Sequence, residues 1–221
     1  DAVVDATIPH LPSIVADMVR LERLTGCRPA EVCQIRPCDV DRSSGDVWLY
    51  RVPGHKTEHF GRERVICIGP KGQAVLRPYL LRPADAYCFS PAESMEKQRA
   101  AWRARRKTPV QPSQRSRRKA RPKRKPRDCY TRYSYARAIR RGVERANRAI
   151  LKDSAKAGIE NPQVLPFWAP NQLRHSRATE VRRKYGLEAA QTTLGHSKAD
   201  VTQIYAERDT KLAADIARKI G

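Results

Sequence analysis

Residues 39–69 read "DVDRSSGDVWLYRVPGHKTEHFGRERVICIG", and this stretch decides the fold class. The runs "DVWLYRV" and "RVICIG" are rich in β-branched and aromatic residues, while the Gly, Pro, Ser and Asp of turns fill the segments before and between them. A small antiparallel sheet is expected here, with the turn "PGHKT" carrying Lys56 at its tip.

On either side of this stretch the period changes from strand to helix. Toward the N-terminus, Leu11, Ile14, Val15, Met18, Leu21 and Leu24 recur at spacings of three and four, on one face of a helix that Gly26 stops. "RPAEVCQI" adds a short helix with Pro29 in its first turn and Glu31 soon after, both favourable at a helix start. Toward the C-terminus "GPKGQAVLRPYLL" is helical, and "AYCFSP" at 86–91 reads as a short strand closing the first half. From Tyr130, "YTRYSYARAIRRGVERANRAILKDSAKAG" spans several helical turns. After the loop "IENPQVLPFWAPN", shorter helices are expected in "QLRHSRATEVRRKYG", "LEAAQTTLG", "ADVTQIYAERD" and "TKLAADIARKIG". The fold class is therefore mainly α with a small antiparallel β-sheet, in a single domain over 1–221.

A chain of 221 residues, 40% of them hydrophobic, can bury a substantial core. It has no apolar run long enough to cross a bilayer and no basic-then-apolar N-terminus, so the expectation is an intracellular protein without a membrane partner. The six cysteines form no CxxC pair and have no nearby His at zinc-ligand spacing; they read as buried reduced thiols, and no metal is expected. The net charge of +22 is unevenly spread, because Lys97 to Arg127 holds 15 Lys or Arg and no Asp or Glu. From about 92 to 128 the apolar content is too low to offset the entropy of ordering, and this basic insertion is expected to be disordered or partly ordered. A field of this sign favours a polyanion, nucleic acid first. The insertion should touch DNA backbone without sequence preference, since Trp102 is almost its only stacking aromatic.

Three separated stretches share one chemistry. "TGCRPAE" sets Arg28 at the mouth of a helix, "LRHSRAT" sets Arg174 and His175 in another first turn, and "LGHSKADVTQIY" holds His196 and Tyr205 nine residues apart. Two guanidiniums can clamp the nonbridging oxygens of a phosphodiester as charge builds on them. A hairpin lysine can protonate a leaving oxygen, and a tyrosine can act as the nucleophile.

Together these motifs resemble the catalytic domain of the tyrosine recombinase (phage integrase) family, from about residue 8 to 210 without the basic insertion. The resemblance implies a site of Arg28, Lys56, Asn171, Arg174, His196 and the nucleophile Tyr205, with Glu31 and His175 in support. It implies a site-specific recombinase that forms a covalent 3′-phosphotyrosine without metal or cofactor. The implied partner is double-stranded DNA, bound by a protein that is a monomer in solution and a homotetramer on DNA. The setting would be the cytoplasm, in association with the nucleoid, and the family's N-terminal DNA-clamping domain is not in this sequence. The family's usual His is replaced by Asn171, whose amide donates and accepts hydrogen bonds but takes no proton near neutral pH. Two other readings share these residues: a degenerate recombinase kept as a DNA-binding protein, and a topoisomerase with a tyrosine nucleophile.

Overall fold

The computed structural model describes residues 1–54, 64–114 and 127–195. Its organising element is helix α2, Ser13–Thr25, which follows α1 (Ala2–Thr7) and a 3-10 turn at Ile8–His10. Ile14, Val15, Met18 and Leu21 are all at or below 1% exposure, as their spacing predicts, and Gly26 ends the helix in the left-handed region at φ 67°. Burial of each such side chain is worth about 1.5–3 kcal/mol, so this helix alone anchors the core. One buried member of the stripe is a carboxylate, Glu22, which accepts a hydrogen bond from Tyr135 Oη at 2.9 Å.

The short helix α3, Pro29–Cys33, leads through a 3-10 turn into the sheet. Strands β1 (Val40–Asp41), β2 (Trp48–Arg51) and β3 (Val65–Ile68) pair antiparallel in that order, with Tyr50 opposite both Val40 and Ile66. Alternation fixes the faces: Trp48, Tyr50, Ile66 and Ile68 point into the core, and Cys67 points out. Tyr50 Oη donates to the Glu31 carbonyl at 3.0 Å and so ties the sheet to α3.

Helix α4 (Pro70–Leu76) returns across α2. The following 86–91 stretch is not the expected strand. It is a buried loop in which Cys88 N–H donates to the Ile35 carbonyl at 2.8 Å, while Cys88 and Phe89 fill the core beside Tyr79. The apolar content that suggests a strand is there for burial, and the segment pairs with no sheet edge.

The basic insertion, expected to be disordered or partly ordered, is ordered at its start, where Pro91–Ala104 forms α5. Ser90 caps it by accepting from Glu93 N–H, Pro91 occupies the first turn, and Arg82 reaches Glu93 from outside. Capping and alanine content give a helix where apolar content alone would not. The rest of this segment beyond Gln114, up to residue 126, lies outside the described residues.

Helix α6, Arg132–Lys156, starts at the Thr131 cap and buries Tyr135, Ile139 and Val143. The chain then runs extended, pinned where the Asn147 side-chain amide both donates to the Leu165 carbonyl and accepts from its N–H, at 3.0 and 2.8 Å. Trp168 Nε1 donates to Thr7 Oγ1. Helices α7 (Asn171–Tyr185) and α8 (Leu187–Leu194) follow, packed on each other, with α7 also against α2. All six cysteines are free thiols; Cys27, Cys33 and Cys88 are buried as expected, but Cys38 and Cys67 are exposed, the latter through its outward position in β3. No described helix is long and apolar enough to cross a membrane.

Candidate active site

Arg174 projects from the first turn of α7 and is only 2% exposed. Its Nη1 donates to the Gly26 carbonyl at 2.7 Å and its Nη2 to the Leu194 carbonyl at 2.8 Å. Both acceptors lie at helix C-termini, α2 ending on Gly26 and α8 on Leu194, each closed by a left-handed glycine. Carbonyls there lack intrahelical partners and carry the negative end of the helix dipole, so they form a socket for a cation. Helix ends meet closely here: a Cβ on Gly26 would lie 3.0 Å from Arg177 Cγ and 3.1 Å from a Leu194 methyl. Burial, then the charges of Arg28 and Arg64, lower the Arg174 pKa to about 10, which leaves it cationic at neutral pH.

Arg28 is held by different means. It sits at the entry to α3 with its side chain 47% exposed, and its Nη1 donates to Glu31 Oε1 at 2.7 Å. Glu31 Oε2 accepts from the Arg28 backbone N–H at 2.7 Å, so one carboxylate caps the helix and orients the guanidinium. Burial works to raise the Glu31 pKa, but Arg64, then the Arg28 backbone N–H and guanidinium, outweigh it and hold the carboxyl below its ordinary value.

The structure thus brings Arg28, Glu31 and Arg174 together. His175 lies beside them on α7, where its Nε2 accepts from Asn171 Nδ2 at 2.9 Å. Burial, then the Arg174 charge, lowers the His175 pKa, which favours the neutral imidazole. Asn171 is thus bonded directly to an imidazole, while Arg174 acts on His175 through its charge. Lys56, His196 and Tyr205 lie outside the described residues. Among the described residues no cluster of His, Cys, Asp or Glu is fit to hold a metal.

Sequence reading missed Arg64 and Glu22. Arg64 is 7% exposed and its Nε reaches Glu31 Oε1 at 3.4 Å. Its signal was parity: position 64 shares the inward face of Ile66 and Ile68. Glu22 is fully buried in the apolar stripe of α2, four residues after Met18, and burial, against the Tyr135 hydrogen bond, raises its pKa well above the ordinary carboxyl value.

No curated protein matches this sequence. Among solved structures, XerA recombinase is similar over 100% of this chain and 64% of its own, at 20% identity and a TM-score of 0.56. The Tn1549 transposon integrase in complex with a circular intermediate DNA is similar over 97% of this chain and 63% of its own, at 16% identity and TM-score 0.57. XerH site-specific recombinase, in a post-cleavage complex with a palindromic difH substrate, covers 97% and 50%, at 16% identity and TM-score 0.55. At these identities the likeness is one of fold, and the chain spans less than two thirds of each matched structure. The mainly helical architecture with its three-stranded antiparallel sheet is that shared fold. Residues 10–211 match the Phage integrase family from the first core helix through every motif singled out above, and the chain belongs to that family.

Proposed function

We propose that the chain is the catalytic part of a site-specific DNA recombinase that cuts and rejoins strands through Tyr205. The observation that carries this reading is the gathering of Arg28, Arg64 and Arg174 around the carboxylate Glu31, an excess of positive charge suited to a phosphodiester anion. In the proposed reaction the Tyr205 phenol gives its proton to water or His175 and its oxygen bonds to phosphorus as the 5′-oxygen leaves, taking a proton from Lys56, and the 3′-phosphate stays on the tyrosine. Arg28 and Arg174, with His196, stabilise the nonbridging oxygens. Attack by a 5′-hydroxyl of another strand reverses the step, so no nucleotide cofactor or metal is needed. The partner is double-stranded DNA, with a monomer in solution assembling into a homotetramer on paired sites, in the nucleoid-associated cytoplasm.

The basic insertion, α5 together with the segment after it, supplies backbone contacts in this reading. Lys97, Arg99, Arg103, Arg105 and Arg106 are all exposed, as is Trp102. Deleting residues 105–127 is expected to flatten the salt dependence of DNA binding, measured as the slope of log affinity against log salt; an unchanged slope removes the insertion from the interface.

The test of the main reading uses nicked suicide DNA substrates drawn from a library that includes the flanks of the protein's own gene. A protease-sensitive covalent adduct with the native chain, absent in Tyr205→Phe, is the expected result. The same assay addresses Asn171. Its amide positions His175 but takes up no proton, and Asn171→His is expected to raise the adduct rate by about 10²-fold, the lower end of the range for general-base catalysis. An adduct only with Asn171→His would favour the reading of a recombinase silenced at this position and kept for DNA binding.

A further inference from the structure

We propose that Arg64 is a positioning residue for the phosphate clamp, setting the disposition of both Arg28 and Arg174. The inference rests on the recombinase reading above. Arg64 immediately precedes β3 on its inward face, 7% exposed, and makes two contacts that lead to the two clamp arginines.

On one side, Arg64 Nε donates to Glu31 Oε1 at 3.4 Å, the same oxygen that accepts from Arg28 Nη1 at 2.7 Å. Sharing this oxygen divides the carboxylate's charge between two guanidiniums. Arg28 is oriented without being fully neutralised, and it keeps a half-exposed face for an anion. On the other side, Arg64 Nη1 lies against Gly195, where an added Cβ would collide with it. Gly195 closes α8, whose last carbonyl, on Leu194, holds Arg174 Nη2. Arg64 therefore fills the space between the carboxylate that aims one clamp arginine and the helix end that seats the other.

As a source of stability this arrangement is poor. The Glu31 contact is long, and among the described residues the buried Arg64 Nη2 has no hydrogen-bond partner. An apolar side chain of similar volume would fill the same space without leaving a donor unpaired. The charge is also set beside a second buried cation, since Arg64 is one of the groups that lower the Arg174 pKa. A third guanidinium so placed raises the local field for an incoming phosphate.

The test compares adduct formation on two suicide substrates, one with an ordinary scissile phosphate and one with a methylphosphonate there, which carries no nonbridging negative charge. The variants are Arg64→Met, Arg64→Lys and Gly195→Ala, the last of which keeps every charge and pushes Nη1 aside. With the ordinary phosphate, Arg64→Met is expected to be slower by about 10²-fold, as for a misplaced catalytic group. Arg64→Lys should recover part of that loss, and Gly195→Ala should show a loss of the same kind. On the methylphosphonate the gap from the native chain should close to within a few fold, because the neutral centre no longer needs the clamp. If Arg64→Met does not fold, as judged by thermal unfolding, Gly195→Ala carries the test. An equal deficit on both substrates, or none on either, overturns the inference while leaving the recombinase reading intact. No adduct from the native chain on either substrate overturns the recombinase reading and this inference with it.

Discussion

Arg28 and Arg174 are two arginines proposed for one task, and the protein holds them in opposite ways. Arg28 is half-exposed and leans on a titratable carboxylate. Arg174 is buried and leans on main-chain carbonyls at the ends of two helices. A half-exposed guanidinium whose buried carboxylate keeps other partners contributes little to stability, whereas a buried guanidinium that joins α2, α7 and α8 is part of the fold itself. The difference separates a reaching group from a fixed one: Arg28 has room to turn, and in the proposed reaction the seated Arg174 defines where the phosphate must come.

The sharpest way to break this comparison is to truncate each arginine. Both Arg28→Ala and Arg174→Ala are expected to slow adduct formation by about 10²–10³-fold, since each removes a donor to the developing charge. Only Arg174→Ala should also lower stability, because it strands two buried carbonyls at about 1–3 kcal/mol each. That corresponds to a fall of about 10 °C in Tm, against less than about 1 kcal/mol for Arg28→Ala. Equal Tm losses in the two variants would refute the division of roles.

A smaller effect comes from Glu22, buried in α2. Its folded-state pKa is raised, so between the ordinary carboxyl value and that raised value the native state holds a proton that the unfolded state has lost. Stability therefore falls as pH rises above about 4.5, by up to ~1.4 kcal/mol per pH unit for one group. Glu22→Gln keeps an acceptor for Tyr135 and removes the ionisation. Chemical denaturation across pH 4–8 should show that its stability lacks this downward component.

The smallest effect serves as the control. Thr131 caps α6 by accepting from Ser134 N–H and bonds to none of the site arginines among the described contacts. Thr131→Ala should cost about 0.5–2 kcal/mol, read from the denaturant midpoint, with the adduct rate unchanged.

The sequence announces whatever depends on periodicity. Helix α2, the β2–β3 pairing and the capped start of α6 follow from spacing and turn chemistry, and the resemblance of the Arg28 and Arg174 motifs to a known family points to the site. The sequence is silent where a residue acts through distant chain. Nothing local to "NQLRHS" says that Arg174 bonds to Gly26 and Leu194, because hydrogen bonds to carbonyls do not depend on which side chains those residues carry. Residues 86–91 misled because burial, and not pairing, explains their apolar content. Arg64 and Glu22 were visible only as violations, a charge at an inward strand parity and another in an apolar helical stripe. Both turn out to be buried charged residues beside the site or behind it.

The socket of Arg174 also bears on how such a protein tolerates drift. Its two acceptors belong to the peptide backbone, so no exchange of side chain at positions 26 or 194 deletes them. An ion pair can be lost by mutation of either partner; this anchor loses its acceptors only if the helices move. Side chains around this socket can therefore vary while the cation stays seated, provided the two helix ends keep their places.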